Sequence, residues 1–213
     1  MAVTGILLFG FVVVHMLGNL QIFLGADALN DYAKHLAELP WLLWPARTVL
    51  LTALVTHIAV AASLGNENRK ARPVGYVKDA TIRASYASRT MMMSGVIIFL
   101  FIVYHLAHFT FGKVQPQFFE HLDSKGREDV YSMVVLGYRN AFVSVSYVAA
   151  MAVLCLHLSH GLQSLFQSLG LRDEKCGPWL KKFALAASLL ILLGNCSIPA
   201  AAYFGLLKIP GGA

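Results

Sequence analysis

Five apolar runs, Met1 to Leu24, Trp41 to Leu64, Thr90 to Phe111, Arg139 to Leu169 and Leu180 to Leu207, contain no Asp or Glu among them. Each is at least as long as the roughly 20 residues a helix needs to cross a bilayer. Lipid offers no hydrogen bonds to a bare backbone, so a segment buried in it must satisfy its own peptide groups, which a helix does and an open strand cannot. The chain of 213 residues is 57% hydrophobic and only 13% charged. It is therefore expected to fold as an all-α integral membrane bundle of five transmembrane helices, one membrane domain over residues 1–213. Ala26-Asp27-Ala28 has the small-x-small form of a leader cleavage site. The first run is long and no basic stretch precedes it, so a membrane span is expected there.

The net charge of +6 raises the question of nucleic acid. Most Lys and Arg residues, however, fall in the connections between apolar runs without aromatic interleaving, so nucleic acid is not an expected partner. They read instead as a topology signal. The connection Gly65 to Arg89 holds Arg69, Lys70, Arg72, Lys78, Arg83 and Arg89 against Glu67 and Asp79, and the turn after the fourth run offers Arg172, Lys175, Lys181 and Lys182. The first connection and that from Gly112 to Tyr138 are balanced or acidic. The positive-inside rule then puts the N-terminus and the second and fourth connections in the cytoplasm, and the first, third and the C-terminus outside. Cys155 and Cys196 lie inside apolar runs and Cys176 in a turn, which gives neither a disulfide framework nor a metal knuckle.

Against this apolar background the histidines stand out. Thr4-Gly5 leads to His15 as Ser94-Gly95 leads to His105, and His57 and His157 lie in the second and fourth runs. At ~1.5 Å per residue, His15 and His105 lie ~21 to 22 Å from the inner ends of their helices, and His57 and His157 ~24 to 27 Å from the outer ends of theirs. Four imidazoles thus form two layers ~15 Å apart, His15 with His105 outside and His57 with His157 inside. Neutral imidazole is the commonest metal ligand, and porphyrin iron leaves two axial positions that two rings fill. Two haem b groups held by His15, His57, His105 and His157 are the expected cofactors. Carboxylate-bridged di-iron sites and carboxylate proton relays are disfavoured, since the spans contain no acid. Zinc would require His108 or His160 to join a layer. Those two lie three residues on from expected ligands and are read as partners of the ligands or of haem propionates, or as helix-packing groups. Gly5, Gly10, Gly95 and Gly161 offer places where a macrocycle or a neighbouring helix approaches a backbone closely. Arg47, Arg83 and Arg89 are the candidate propionate cations at the membrane edges, with interfacial snorkelling as the ordinary alternative.

With five spans, histidines on the first four and none on the fifth, and the strings TGILLFGFVVVH, SGVIIFLFIVYH and HLSHGLQS, the chain resembles the di-haem cytochrome b subunit of succinate dehydrogenase and fumarate reductase, the single-polypeptide membrane anchor. The resemblance implies a multi-pass protein of the bacterial cytoplasmic membrane, with His15 and His105 on the haem distal from the partners and His57 and His157 on the proximal one. It also implies a flavoprotein and an iron-sulfur subunit docked on the cytoplasmic face, and electrons passing between succinate or fumarate and a membrane quinone, menaquinone. No flavin or cluster site is visible in this chain. Quinone exchanges protons as it exchanges electrons, and His35 and Glu38, three apart before Pro40, are the candidate relay, with a solvated loop as the ordinary alternative. The rivals are a di-haem cytochrome b of formate dehydrogenase or hydrogenase type, and a histidine-lined metal carrier.

Overall fold

The structure, a computed structural model, describes residues 1–71 and 85–210. Its five helices long and apolar enough to cross a membrane are Ala2–Leu24, Pro40–Ala71, Met91–Thr110, Ala141–Ser168 and Gly177–Tyr203. The expected spans are met with shifted ends. The second runs to Ala71 rather than stopping at Leu64, because the polar stretch Asn66 to Lys70 continues as helix. The fifth starts three residues early at Gly177, with Pro178 in its first turn, where a missing N–H costs nothing. It ends at Tyr203, and Gly205 at φ 71° follows.

In chain order, α1 (Ala2–Asn19) tightens into a 3-10 turn (Leu20–Leu24), and Gly25 at φ 106° breaks the line. Few residues other than glycine adopt that backbone. Then α2 (Ala26–Ala37) forms where a polar connection was expected, with Asp27 in its first turn and Lys34 and His35 in its last, as the helix dipole favours. It is followed by α3 (Pro40–Ala71), a short α4 (Tyr86–Arg89) and α5 (Met91–His105). The last turn of the third span, Leu106–Thr110, is a π-helix. The connection expected from Gly112 to Tyr138 contains α6 (Val130–Tyr138), whose N-terminus is capped by Asp129. Asn140 interrupts the chain and caps α7 (Ala141–Ser168) by accepting from the N–H groups of Phe142 and Val143, and α8 (Gly177–Tyr203) closes the bundle.

One end of the bundle is capped. There α2, the 3-10 turn after α1, α6 and the ends of α7 and α8 share a core that includes Ile22, Leu29, Val135, Tyr147 and Ala202. Arg127, its side chain 6% exposed, pairs with Asp123, Asp27 and Asp31 at 2.5 to 2.6 Å, which ties the third connection to α2. Asn30 is fully used beside it, donating to Asp123 and Asp129 and accepting from the Tyr131 N–H. The Tyr131 hydroxyl donates to the Lys208 carbonyl, so the C-terminal segment lies at this end too. The opposite, basic end collects Arg69 and Lys70 of α3, Arg89 of α4, Arg172 after α7 and Lys181 and Lys182 of α8. Away from the cap the helices pack sparsely: in the whole of α3 only Ala53 is buried.

Candidate functional site

The site is built from α1, α3, α5 and α7. In the layer nearer the cap, the His15 and His105 ring centres lie 5.7 Å apart, edge to face, and Phe11 stacks on His15 at 5.2 Å. Metal–imidazole bonds near 2 Å on either side of one ion put two ring centres roughly 6 Å apart. The pair therefore lies within the spacing that a shared metal requires. In the layer nearer the basic end, His57 and His157 stand at the level of the first turns of α1 and α5. Thr4 Oγ1 lies 3.0 Å from His57 Nδ1, and Ser94 Oγ 2.9 Å from His157 Nδ1.

A hydroxyl has one proton to donate. Thr4 Oγ1 lies 2.9 Å from the Met1 carbonyl as well as 3.0 Å from His57 Nδ1, and Ser94 Oγ lies 3.0 Å from the Met91 carbonyl as well as 2.9 Å from His157 Nδ1. When the proton goes to the carbonyl, a back-bond common for these residues in helices, Nδ1 carries the ring hydrogen and Nε2 is left as a lone pair; when it goes to the imidazole the tautomer is reversed. At His105 a longer chain of contacts selects one tautomer. Gln115 offers Oε1 to His108 Nε2 at 2.8 Å, which fixes the His108 proton there. His108 Nδ1 then accepts from the Tyr147 hydroxyl at 3.0 Å, and the Tyr147 oxygen accepts from His105 Nδ1–H at 3.3 Å. His105 thus holds its Nε2 free, and His57 and His157 each have a hydroxyl set against Nδ1. Ligating histidines fixed through the other nitrogen are the usual arrangement at metal sites.

A side-chain carbon on Gly95 would meet His157 Cε1 at 3.7 Å, and one on Gly5 would meet Leu165 Cδ1 at 3.7 Å and His57 Cε1 at 3.9 Å, ordinary contact distances, so both glycines lie beside an imidazole without being required by space. A carbon added at Gly10 or Gly161 would meet nothing within 4 Å. Among the described residues no group of three or more His, Cys, Asp or Glu is arranged to hold a metal ion by itself.

The other expected site residues are distributed unevenly. His108 is 3% exposed, satisfied on both nitrogens, and attached through Tyr147 to the His105 layer. His160 lines an open polar cleft of about 480 Å³ with Gln163, Ser164, Gln167, Ser168 and Arg172, toward the basic end of α7. Arg47 is exposed near the start of α3, stacked over Trp44 at 5.3 Å. Ten residues before His57 on the same helix, it lies ~15 Å toward the capped end, at the depth of His15 and His105. Arg89 ends α4 and is exposed, and Arg83 lies outside the described residues, as do Arg72 and Lys78. His35 and Glu38 sit at the exposed C-terminal end of α2, where Glu38 lies 3.8 Å from Lys34. Thr4, Ser94, Tyr147 and Gln115 were not singled out as individual side chains. The sequence signal for the first two is the matched Thr-Gly and Ser-Gly spacing.

Five spanning helices with imidazoles paired across them in two layers define a polytopic membrane protein built to hold groups between its helices. Residues 67–194, more than half of the chain, match the family model of the succinate dehydrogenase/fumarate reductase transmembrane subunit. The chain belongs to that family. The match includes His105 and His157, while His15 and His57 lie before it. No curated protein and no solved structure matches the chain.

Proposed function

We propose that this chain is the di-haem anchor of a succinate:quinone oxidoreductase and carries electrons between the iron-sulfur subunit and membrane quinone. The observation that carries the reading is a hydroxyl set against Nδ1 of each of His57, His157 and His105, with no hydrogen-bond partner on any of the three Nε2 atoms among the described residues. An imidazole needed only for helix packing would gain from using both nitrogens, as His108 does. Bound between each pair, haem b would supply a one-electron iron couple with both axial positions filled and no open site for other chemistry. Thr4 and Ser94 hold the rings of the layer nearer the basic end, Tyr147 holds His105, and the apolar helix faces keep water from the ligands. The basic end is the cytoplasmic, partner-facing side in this reading. The quinone site lies at the capped end, where His35 and Glu38 are the titratable groups next to the membrane edge.

Reduced-minus-oxidised spectra of the purified complex test it. Two low-spin b components are expected. His57→Ala or His157→Ala should remove one, and His15→Ala or His105→Ala the other. If His15→Ala and His57→Ala removed the same component, the pairing would be wrong; no b-type spectrum at all would end the haem reading.

A further inference from the structure

We infer that Tyr147, held by His108, is the positioning residue of His105 and sets how strongly that imidazole donates through Nε2. This rests on reading His15 and His105 as an axial ligand pair. The Tyr147 hydroxyl lies between two imidazole nitrogens, 3.3 Å from His105 Nδ1 and 3.0 Å from His108 Nδ1. Tyr147 and His108 are 4% and 3% exposed, so water does not compete for either bond. The π-helical turn Leu106–Thr110 accompanies this meeting. Side chains three apart on a helix are neighbours, and here those of His105 and His108 both reach one oxygen. Such π turns recur at functional sites.

The chain of bonds has one direction. Gln115 accepts from His108, His108 accepts from Tyr147, and Tyr147 accepts from His105. A hydroxyl that is itself donating is the better acceptor, so each link strengthens the next. Gly137 makes room for the far end, since a side-chain carbon there would come within 3.0 Å of Gln115 Oε1 and 3.4 Å of His108 Nε2. The tyrosine ring cannot swing away, because Phe101 and Tyr138 pack edge-on against it with centres 5.0 Å off. His15 has no such support: among the described residues it makes no side-chain hydrogen bond, and its aromatic neighbours are Phe11 and His105. The two ligands of this pair therefore differ in basicity, and the difference is built by residues of α7 and the π turn. By accepting the Nδ1–H bond, Tyr147 draws the proton and leaves electron density on the ring, which makes His105 the richer donor and would favour oxidised iron.

Potentiometric titration and low-temperature EPR of the purified complex test this. Tyr147→Phe should favour reduced iron by up to about tenfold in the component that His105→Ala abolishes. At 59 mV per tenfold for a one-electron couple this is a rise of up to about 60 mV. The same component should change its low-spin g values, and the other should not move. His108→Leu should shift that component the same way, the double variant no further than Tyr147→Phe alone, and His108→Gln, which restores an acceptor, should return it toward wild type. The His108→Leu and His108→Gln results decide the matter if Tyr147→Phe does not assemble. Unchanged potential and g values in Tyr147→Phe or His108→Leu with both haems retained would overturn the inference, as would a shift in the other component or no recovery with His108→Gln. Absence of b haem from the wild-type complex would instead defeat the ligand reading, and this inference with it.

Discussion

Thr4 and Ser94 are small residues at the start of their helices, yet each sets a hydroxyl against Nδ1 of a histidine on another helix. Removing the hydroxyl leaves a half-buried Nδ1 without its partner, a loss of roughly 1 kcal/mol, and frees the ring to turn. Thr4→Ala and Ser94→Ala should each weaken haem retention in the His57 and His157 layer by about 10-fold or more, the usual effect of losing the partner of a ligating histidine. Haem content after graded detergent washing checks this; Ser94→Thr should retain the cofactor, and the His15 and His105 component should be unaffected in every variant. The histidines themselves were legible because an imidazole in an apolar run is conspicuous and its depth follows from helical rise. Their partners were not, because Thr4 and His57, or Ser94 and His157, meet only after the helices have packed. The pairing of His105 and His108 on one hydroxyl was likewise hidden, since it coincides with a π turn that nothing in the string Leu106 to Thr110 announces.

Among the elements, α2 and the connection before α6 form a unit that a hydropathy reading passes over. The segment from Ala26 to Ala37 has too little apolar residue for a span, and its polar residues look solvated until Asn30 is found buried. Its partners, Asp123, Asp129 and Arg127, lie far along the chain. Hydrogen bonds from Lys125 and Arg127 lower the Asp27 pKa, and Arg127 holds Asp123 well below the ordinary carboxylate range. A depressed carboxyl pKa contributes stability that is present above the unfolded value, near 3.9, and is lost as the pH falls through the folded one. Docking of α2 should therefore be unchanged between pH 7 and pH 5 and should loosen below about pH 4. Hydrogen exchange of the peptide 26–37, corrected for intrinsic rates, would report it. Arg127→Met, which leaves three carboxylates facing one another, should abolish that protection already at pH 7; persistent protection there would assign α2 docking to Leu29 and Ile22 alone.

At the scale of the molecule, the alternation of basic and acidic connections gave the correct grouping of loops. The contacts of Arg127 with α2 and of Tyr131 with Lys208 put the first connection, the third and the C-terminal segment on one face. The proposed reading puts the soluble partners at the basic end, and part of the second connection, residues 72–84, lies outside the described residues. Reversing charge at Arg69, Lys70 and Arg89 should reduce recovery of the flavoprotein and iron-sulfur subunits in a salt-dependent way and leave both haem components in the membrane fraction. Recovery equal to wild type would mean that these charges serve only to orient the chain.

The Arg127 clamp also imposes an order on biogenesis. Its carboxylates at positions 27 and 31 leave the ribosome long before the guanidinium at 127, and two spans must be threaded in between. Until the third span has crossed, α2 lacks the partners that cover Asn30 and Leu29. A chain with one span inserted the wrong way would put Arg127 and its acids on opposite sides of the lipid, where they could never meet. Closure of this end therefore acts as a proofreading step, which only a correctly threaded chain can complete.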